Sequence, residues 1–85
     1  MQLDTRIREL IALGSAVGAN CHPCLEYHVG KARKEAIPEA EIAEAIEVGK
    51  MVRKGAQGKM DALAAALLAG TQPAAASAAA RCCGS

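Results

Sequence analysis

Two cysteines separated by two residues are the part of this sequence with the clearest chemistry. Cys21 and Cys24 stand where a helix is predicted to begin. Unpaired backbone N–H groups and the positive end of the helix dipole stabilise a thiolate at such a position. A thiolate attacks peroxides and disulfides, and a second thiol three residues away can resolve the product into an intramolecular disulfide. The pair therefore predicts dithiol–disulfide chemistry.

A histidine follows this pair at helical spacing. His28 comes four residues after Cys24, so one helical turn separates them and we expect the imidazole to lie beside the Cys24 sulfur. Imidazoles exchange protons near neutral pH. A lone histidine is more often a hydrogen-bonded core residue, but beside a cysteine His28 is a candidate proton carrier.

Three other uses of a Cys-x-x-Cys pair compete with this interpretation. A c-type haem needs a histidine directly after the second cysteine, where this chain has Leu25. A thioredoxin fold needs a strand before the pair, whereas residues 10–20 predict a helix. Zinc could use Cys21, Cys24 and His28, but a closed tetrahedral site normally takes ligands from two segments. Only thiols from the end of the chain could complete that site.

The chain ends in a second pair of thiols. Residues 71–85 are rich in alanine and include Cys82 and Cys83, so we expect a tail after a helical domain at residues 1–70. Adjacent cysteines form only a strained, easily reduced disulfide, and they bind soft ions such as arsenite or mercury(II). Incidental thiols, a dithiol or soft-metal shuttle, and cross-linking all remain open for this pair.

Composition limits the kinds of partner. The 85 residues are 52% hydrophobic and 22% charged with a net charge of +1, which is too apolar for disorder and too balanced for a nucleic-acid binder. Tyr27 is the single aromatic residue, so base stacking is excluded. Because 20 residues are alanine, the core is small, and we expect a homo-oligomer to complete it.

The predicted fold class is all-α. Apolar residues recur at helical spacing, and no segment alternates with the period of a strand. We expect helices over residues 3–17, from within 21–24 to about 35 and from Pro38 onward, with a fourth segment over 59–69. Gly55 and Gly58 are expected to weaken the third helix before that segment.

Each helix has an expected apolar face. Gly14 and Gly18 stand four residues apart in the first helix, where they allow another backbone to approach closely. The face of the first helix is expected at Leu3, Ile7, Leu10, Ile11, Gly14, Val17 and Gly18, and from Leu10 onward we expect burial all round. The face of the second helix is expected at Leu25, Val29 and Ala32 or Ala36. The later faces are expected at Ile42, Ala45, Ile46, Gly49 and Val52 or Met51, then at Met60, Leu63, Leu67 and Leu68.

The expected location is the cytoplasm. The first residues include Arg6, Arg8 and Glu9, which interrupt the apolar region of a signal peptide. The longest nearly apolar run, residues 10–19, is about half the length that spans a bilayer. We therefore expect neither a membrane nor a nucleic acid as a partner.

Four residues together give the chain a family resemblance. Glu9, Cys21, Cys24 and His28 form the pattern Glu-x11-Cys-x2-Cys-x3-His on two consecutive predicted helices. The pattern resembles the alkylhydroperoxidase D-like branch of the carboxymuconolactone decarboxylase family, and the likeness covers roughly residues 3–69. It implies an all-helical fold that forms a helical bundle by oligomerising, commonly as trimers or hexamers.

The resemblance also implies roles for these residues. Cys24 would attack a hydroperoxide or a partner disulfide, Cys21 would resolve the product, and Glu9 with His28 would relay protons. An external dithiol protein would be the reductant, and no cofactor is expected. Glu9 could also be a solvated charge, but the residues one turn on are apolar, which indicates that it points toward packed protein.

One departure from the family pattern and one alternative function complete the expectations. Peroxidase-type members have a histidine directly before the second cysteine, where this chain has Pro23 and its His22 stands one place earlier. The relay is then incomplete relative to those members, which bears more on peroxidase activity than on dithiol exchange. The alternative is a thiol carrier of soft metals or metalloids that uses both cysteine pairs, Cys21 with Cys24 and Cys82 with Cys83.

Overall fold

The computed structural model describes residues 2–71, which form three helices and no strand. They are α1 (Thr5–Gly18), α2 (His22–Lys34) and α3 (Glu39–Leu68). The all-α class is therefore confirmed. The chain divides into two compact units, Met1–Lys50 and Met51–Ser85, and every residue proposed below for the Cys-x-x-Cys site lies in the first unit.

Backbone hydrogen bonds end α1 and place the first cysteine. Asn20 adopts a left-handed conformation (φ 56°), and its N–H donates to the carbonyl of Val17 at 3.1 Å while that of Cys21 donates to Ala16 at 2.9 Å. These two bonds form a Schellman motif, in which a left-handed residue lets the last carbonyls of a helix be satisfied. This turn fixes Cys21 directly after α1.

The end of α2 repeats this arrangement. Ala36 is left-handed (φ 57°), and the N–H of Ile37 donates to the carbonyl of Ala32 at 3.1 Å. Beyond the turn, Arg33 donates to the carboxylate of Glu39 at 2.8 Å and 3.1 Å. That hydrogen bond lowers the pKa of Glu39 below its usual value and raises the pKa of Arg33. Both side chains are exposed, so the pair contributes little stability.

The core of the first unit consists of small and medium-sized apolar residues. Its buried members are Leu13, Ala32, Ile37 and Ile42, and Leu10, Leu25, Val29, Ala45 and Ile46 pack against them. Leu13 is the largest fully buried side chain among the described residues. The apolar faces predicted for the second helix and for the start of the third are confirmed in this part.

The expected face of α1 is wrong in one respect. The buried residues of α1 are Glu9, Leu13, Ala16 and Val17, whereas Leu3, Ile7 and Ile11 are 43%, 38% and 53% exposed. Burial all round from Leu10 onward is also wrong. Helical spacing gives α1 two apolar stripes. The rest of the first unit covers the stripe that contains Leu13 and Val17, and it leaves the stripe that contains Ile7 and Ile11 exposed.

A close backbone contact joins α1 to α3 within the first unit. A Cβ atom added at Gly14 would lie 3.3 Å from the carbonyl oxygen of Ala45. One added at Gly49 would lie 2.5 Å from the carbonyl oxygen of Gly14 and 2.8 Å from the Cβ of Val17. The prediction that the glycines of α1 permit close approach is confirmed, and Gly49 supplies the opposite half of the contact.

The expectation of a fourth segment separate from the third helix is wrong. α3 is continuous through Gly55 and Gly58, because a helical glycine costs only about 1 kcal/mol relative to alanine and no proline interrupts this stretch. Several residues expected on its apolar faces are exposed: Met51, Val52, Met60, Leu63, Leu67 and Leu68.

None of the three described helices is long and apolar enough to cross a bilayer. Residues 72–85, with Cys82 and Cys83, lie outside the described residues. The division into a domain at 1–70 and a tail at 71–85 stays a prediction.

The glycine contact predicts a destabilising substitution. Gly49→Ala should lower the free energy of unfolding by about 1–3 kcal/mol, because its methyl group overlaps the backbone of α1. Gly58→Ala is the matched control: it has nothing within 4 Å of the added Cβ and should raise stability by about 0.5–1 kcal/mol. Urea denaturation followed by circular dichroism measures both. Equal stability of the two variants would contradict the contact.

Candidate functional site

The two cysteines of the motif stand at the start of α2 and are joined by a disulfide. Cys21 is the N-cap residue, with extended backbone angles (φ −94°, ψ 97°), and Pro23 occupies the first turn, where its missing N–H costs no hydrogen bond. The Cys21–Cys24 disulfide links two α-carbons 5.3 Å apart. Cys24 is exposed and Cys21 is half-buried, so Cys24 is the more accessible of the two to a substrate.

A buried carboxylate lies against the next turn of α2. The Glu9 side chain of α1 is only 7% exposed, and its Oε1 lies 2.8 Å from Nδ1 of His28. The His28 side chain is 26% exposed. The sequence interpretation that Glu9 points into packed protein is confirmed, and Glu9 and His28 are in direct contact although 19 positions separate them.

This contact determines the protonation pattern of the imidazole. An ionised carboxylate only accepts hydrogen bonds, so Nδ1 of His28 is the donor to Glu9. In the neutral ring, Nε2 is then the unprotonated nitrogen, and it is the one that can take up a proton. His28 and Cys24 are one turn apart on α2, so the two residues lie on the same face of this helix.

Lysine 31 is the site residue that sequence reasoning missed. Its Nζ lies 3.6 Å from Oε2 of Glu9, and its side chain is 42% exposed. In the sequence, Lys31 stands with Arg33 and Lys34 in a basic cluster, a pattern that is typical of a solvated helix face. The available signal was its spacing, three residues after His28 and seven after Cys24, which puts Lys31 on the same face of α2.

The surroundings of His28 are partly open. The Tyr27 ring meets the His28 ring edge-on, with centroids 4.9 Å apart, and Tyr27 is 62% exposed. A shallow groove along α2 adjoins this region and is lined by Glu26, Tyr27, Gly30, Lys31, Lys34 and Glu35.

The site residues thus form two groups. One is the Cys21–Cys24 disulfide at the start of α2, and the other joins Glu9 of α1 to His28 and Lys31 of α2. Within residues 2–71, no cluster of three or more histidine, cysteine, aspartate or glutamate side chains could hold a metal ion. His22, at the first position of α2, is exposed.

Comparison with known proteins gives a family and one uncharacterised relative. The family described as "Carboxymuconolactone decarboxylase family" matches residues 2–68. The chain is 43% identical over 54 residues to "Uncharacterized protein 4 in cox locus" of Paracoccus denitrificans. The match covers 64% of this chain and 49% of that protein, so the chain spans about half the length of this relative. No solved structure matches the chain.

The family match covers the Glu9–His28 pair, the Cys21–Cys24 disulfide and all of the three helices. Because the match spans residues 2–68 of the 85, the chain belongs to the carboxymuconolactone decarboxylase family.

Proposed function

We propose that this protein is a thiol-dependent peroxidase or disulfide oxidoreductase of the alkylhydroperoxidase D-like type, which cycles Cys21 and Cys24 between dithiol and disulfide. The observation that supports it most directly is the buried Glu9 carboxylate, hydrogen-bonded to His28 one turn beyond Cys24. Membership of the carboxymuconolactone decarboxylase family does not by itself identify this activity, because the family includes enzymes with other activities. A disulfide followed on the same helix by an oriented imidazole is an arrangement suited to thiol redox chemistry.

The first step consumes the peroxide. The Cys24 thiol gives its proton to Nε2 of His28, and Glu9 stabilises the imidazolium that results. The thiolate attacks the terminal oxygen of the hydroperoxide, which bears the hydrogen, the O–O bond breaks, and Cys24 becomes a sulfenic acid. The departing alkoxide takes the proton from His28 and leaves as an alcohol. The exposure of Cys24 favours it over Cys21 for this role.

The second step forms the disulfide. The Cys21 sulfur attacks the sulfenic sulfur of Cys24, the S–O bond breaks, and the hydroxyl leaves as water with the thiol proton. An external dithiol protein then returns two electrons and two protons by thiol–disulfide exchange. If a disulfide is the substrate instead, Cys24 attacks one of its sulfurs, and Cys21 resolves the mixed disulfide by the same substitution.

Pro23 limits what is expected of the peroxide step. Peroxidase-type members of the resembling branch have a histidine at this position, and here Pro23 has no side chain that can transfer a proton. Exchange with a disulfide needs only the thiolate and a leaving thiol of suitable acidity. We therefore expect dithiol exchange to depend less on this difference than hydroperoxide reduction does.

The carrier of soft metals remains the alternative function. It would use Cys21 with Cys24 and the pair Cys82 with Cys83, which lies outside the described residues. It predicts near-stoichiometric binding of arsenite or mercury(II) that falls when either pair is removed. No contact within residues 2–71 favours it over redox chemistry.

The cysteines predict a clear mutational result. Cys24→Ser should reduce turnover of cumene hydroperoxide with dithiothreitol to the uncatalysed rate, because the attacking sulfur is gone. The control, Cys82→Ser with Cys83→Ser, removes two thiols instead of one and should largely keep the wild-type rate. Peroxide consumption measures both.

Two results would contradict this proposal. If the wild-type protein turned over neither cumene hydroperoxide nor a small disulfide, the proposed oxidoreductase activity would be excluded. If the Cys82→Ser/Cys83→Ser variant lost turnover while Cys24→Ser kept it, the reacting thiols would be Cys82 and Cys83, and the proposed role of Cys24 would be wrong.

We also propose that the protein is a homo-oligomer, as a trimer or hexamer, in the cytoplasm. The apolar stripe that the first unit leaves uncovered, formed by Ile7 and Ile11 of α1 with Leu3 just before the helix, is on average close to half exposed. Burying such apolar area is worth about 25 cal/mol per Å², and the same stripes of neighbouring copies would cover one another around a three-fold axis.

This stripe predicts the effect of an added charge. Ile11→Glu should dissociate the oligomer to a single chain of 8.7 kDa, because a carboxylate cannot be buried unpaired between copies. Lys34→Glu, a charge change at an exposed position of α2, is the control and should keep the wild-type mass. Sedimentation velocity measures all three, and a wild-type protein that sediments as a single chain would contradict the oligomer.

A further inference from the structure

Both oxygens of the Glu9 carboxylate have a cationic or hydrogen-bonding partner from α2. Oε1 lies 2.8 Å from Nδ1 of His28, and Oε2 lies 3.6 Å from Nζ of Lys31. Glu9 is the one buried charged side chain among the described residues. A buried carboxylate without a compensating charge is costly, and His28 is a cation only when protonated.

We propose that Lys31 is a positioning residue of the Glu9–His28 relay, an inference that rests on the proposed function. Its ammonium group keeps the Glu9 carboxylate ionised while the imidazole is neutral. Oε1 then accepts the hydrogen bond from Nδ1, and Nε2 of His28 stays unprotonated and ready to accept the thiol proton. Without Lys31, the carboxylate would take a proton itself or draw one onto the ring, and either change removes the base.

The geometry separates this role from a role in substrate docking. Lys31 and Lys34 both line the groove along α2 and stand three residues apart. If the groove bound an anionic substrate, both lysines would contribute to KM. The contact with Glu9 at 3.6 Å belongs to Lys31, so only Lys31 should affect the relay. Lys34 is therefore its matched control.

The first test reads the imidazole directly and does not depend on turnover. Nitrogen-15 NMR of histidine-labelled protein, assigned with a His22→Gln variant, should find neutral His28 protonated at Nδ1 in the wild type. Lys31→Met should lose this form, while Lys31→Arg and Lys34→Met should keep it. Unchanged His28 resonances in Lys31→Met would overturn the proposal.

The second test is a double-mutant cycle on turnover. Lys31→Met should lower kcat on the order of 10-fold, as is typical for partners that orient a reacting group, with KM unchanged. In a Glu9→Gln background the same substitution should have no further effect, because the charge that it compensates is absent. A loss that persists in that background, or an equal loss in Lys34→Met, would overturn the proposal.

The two tests also distinguish failures and guard against misfolding. If the wild type turns over neither peroxide nor disulfide, the proposed function fails, and the NMR result still decides the role of Lys31. If Lys31→Met unfolds because Glu9 is left uncompensated, the double variant Glu9→Gln/Lys31→Met should fold again. Failure of this double variant to regain the stability of Glu9→Gln would overturn the pairing.

Discussion

A carboxylate buried between two helices is the constraint on which the site depends. Glu9 is 6% exposed, and an ionised group at that depth is tolerated only with partners. His28 and Lys31, one turn apart on α2, provide them. Satisfying Glu9 therefore sets which face of α2 meets α1, and that choice also fixes the orientation of the imidazole that follows the Cys-x-x-Cys pair.

The rest of the first unit holds these groups in place through backbone geometry more than through large side chains. The left-handed Asn20 ends α1 and lets the N–H of Cys21 bond back to Ala16, so the first cysteine begins α2 at a fixed point. The contact between Gly14 and Gly49 brings α3 against α1 at backbone distance. A chain rich in alanine can form a defined core in this way, because small residues allow helices to approach closely.

Spacing predicted the residues of the site better than it predicted their surroundings. Glu9, Cys21, Cys24 and His28 follow from a sequence pattern, and the structure brings Glu9 to His28 and joins the cysteines, while their catalytic roles remain proposals. The contact of Lys31 with Glu9 was not predicted. Helical spacing identifies the residues that share one face of a helix, but it does not show which cation on that face reaches a carboxylate of another helix. The exposure of Leu3, Ile7 and Ile11 on α1 did not follow either. Periodicity shows that a stripe is apolar without showing whether the same chain covers it.

The most direct test of the account is the rate at which iodoacetamide alkylates reduced Cys24 as a function of pH, in the wild type and in Glu9→Gln. A free cysteine thiol titrates near pH ~8.5. We expect a midpoint clearly below this value in the wild type, because a helix N-terminus and an imidazolium stabilised by Glu9 favour the thiolate. We expect a higher midpoint in Glu9→Gln. Midpoints at or above that of free cysteine in both proteins would contradict it.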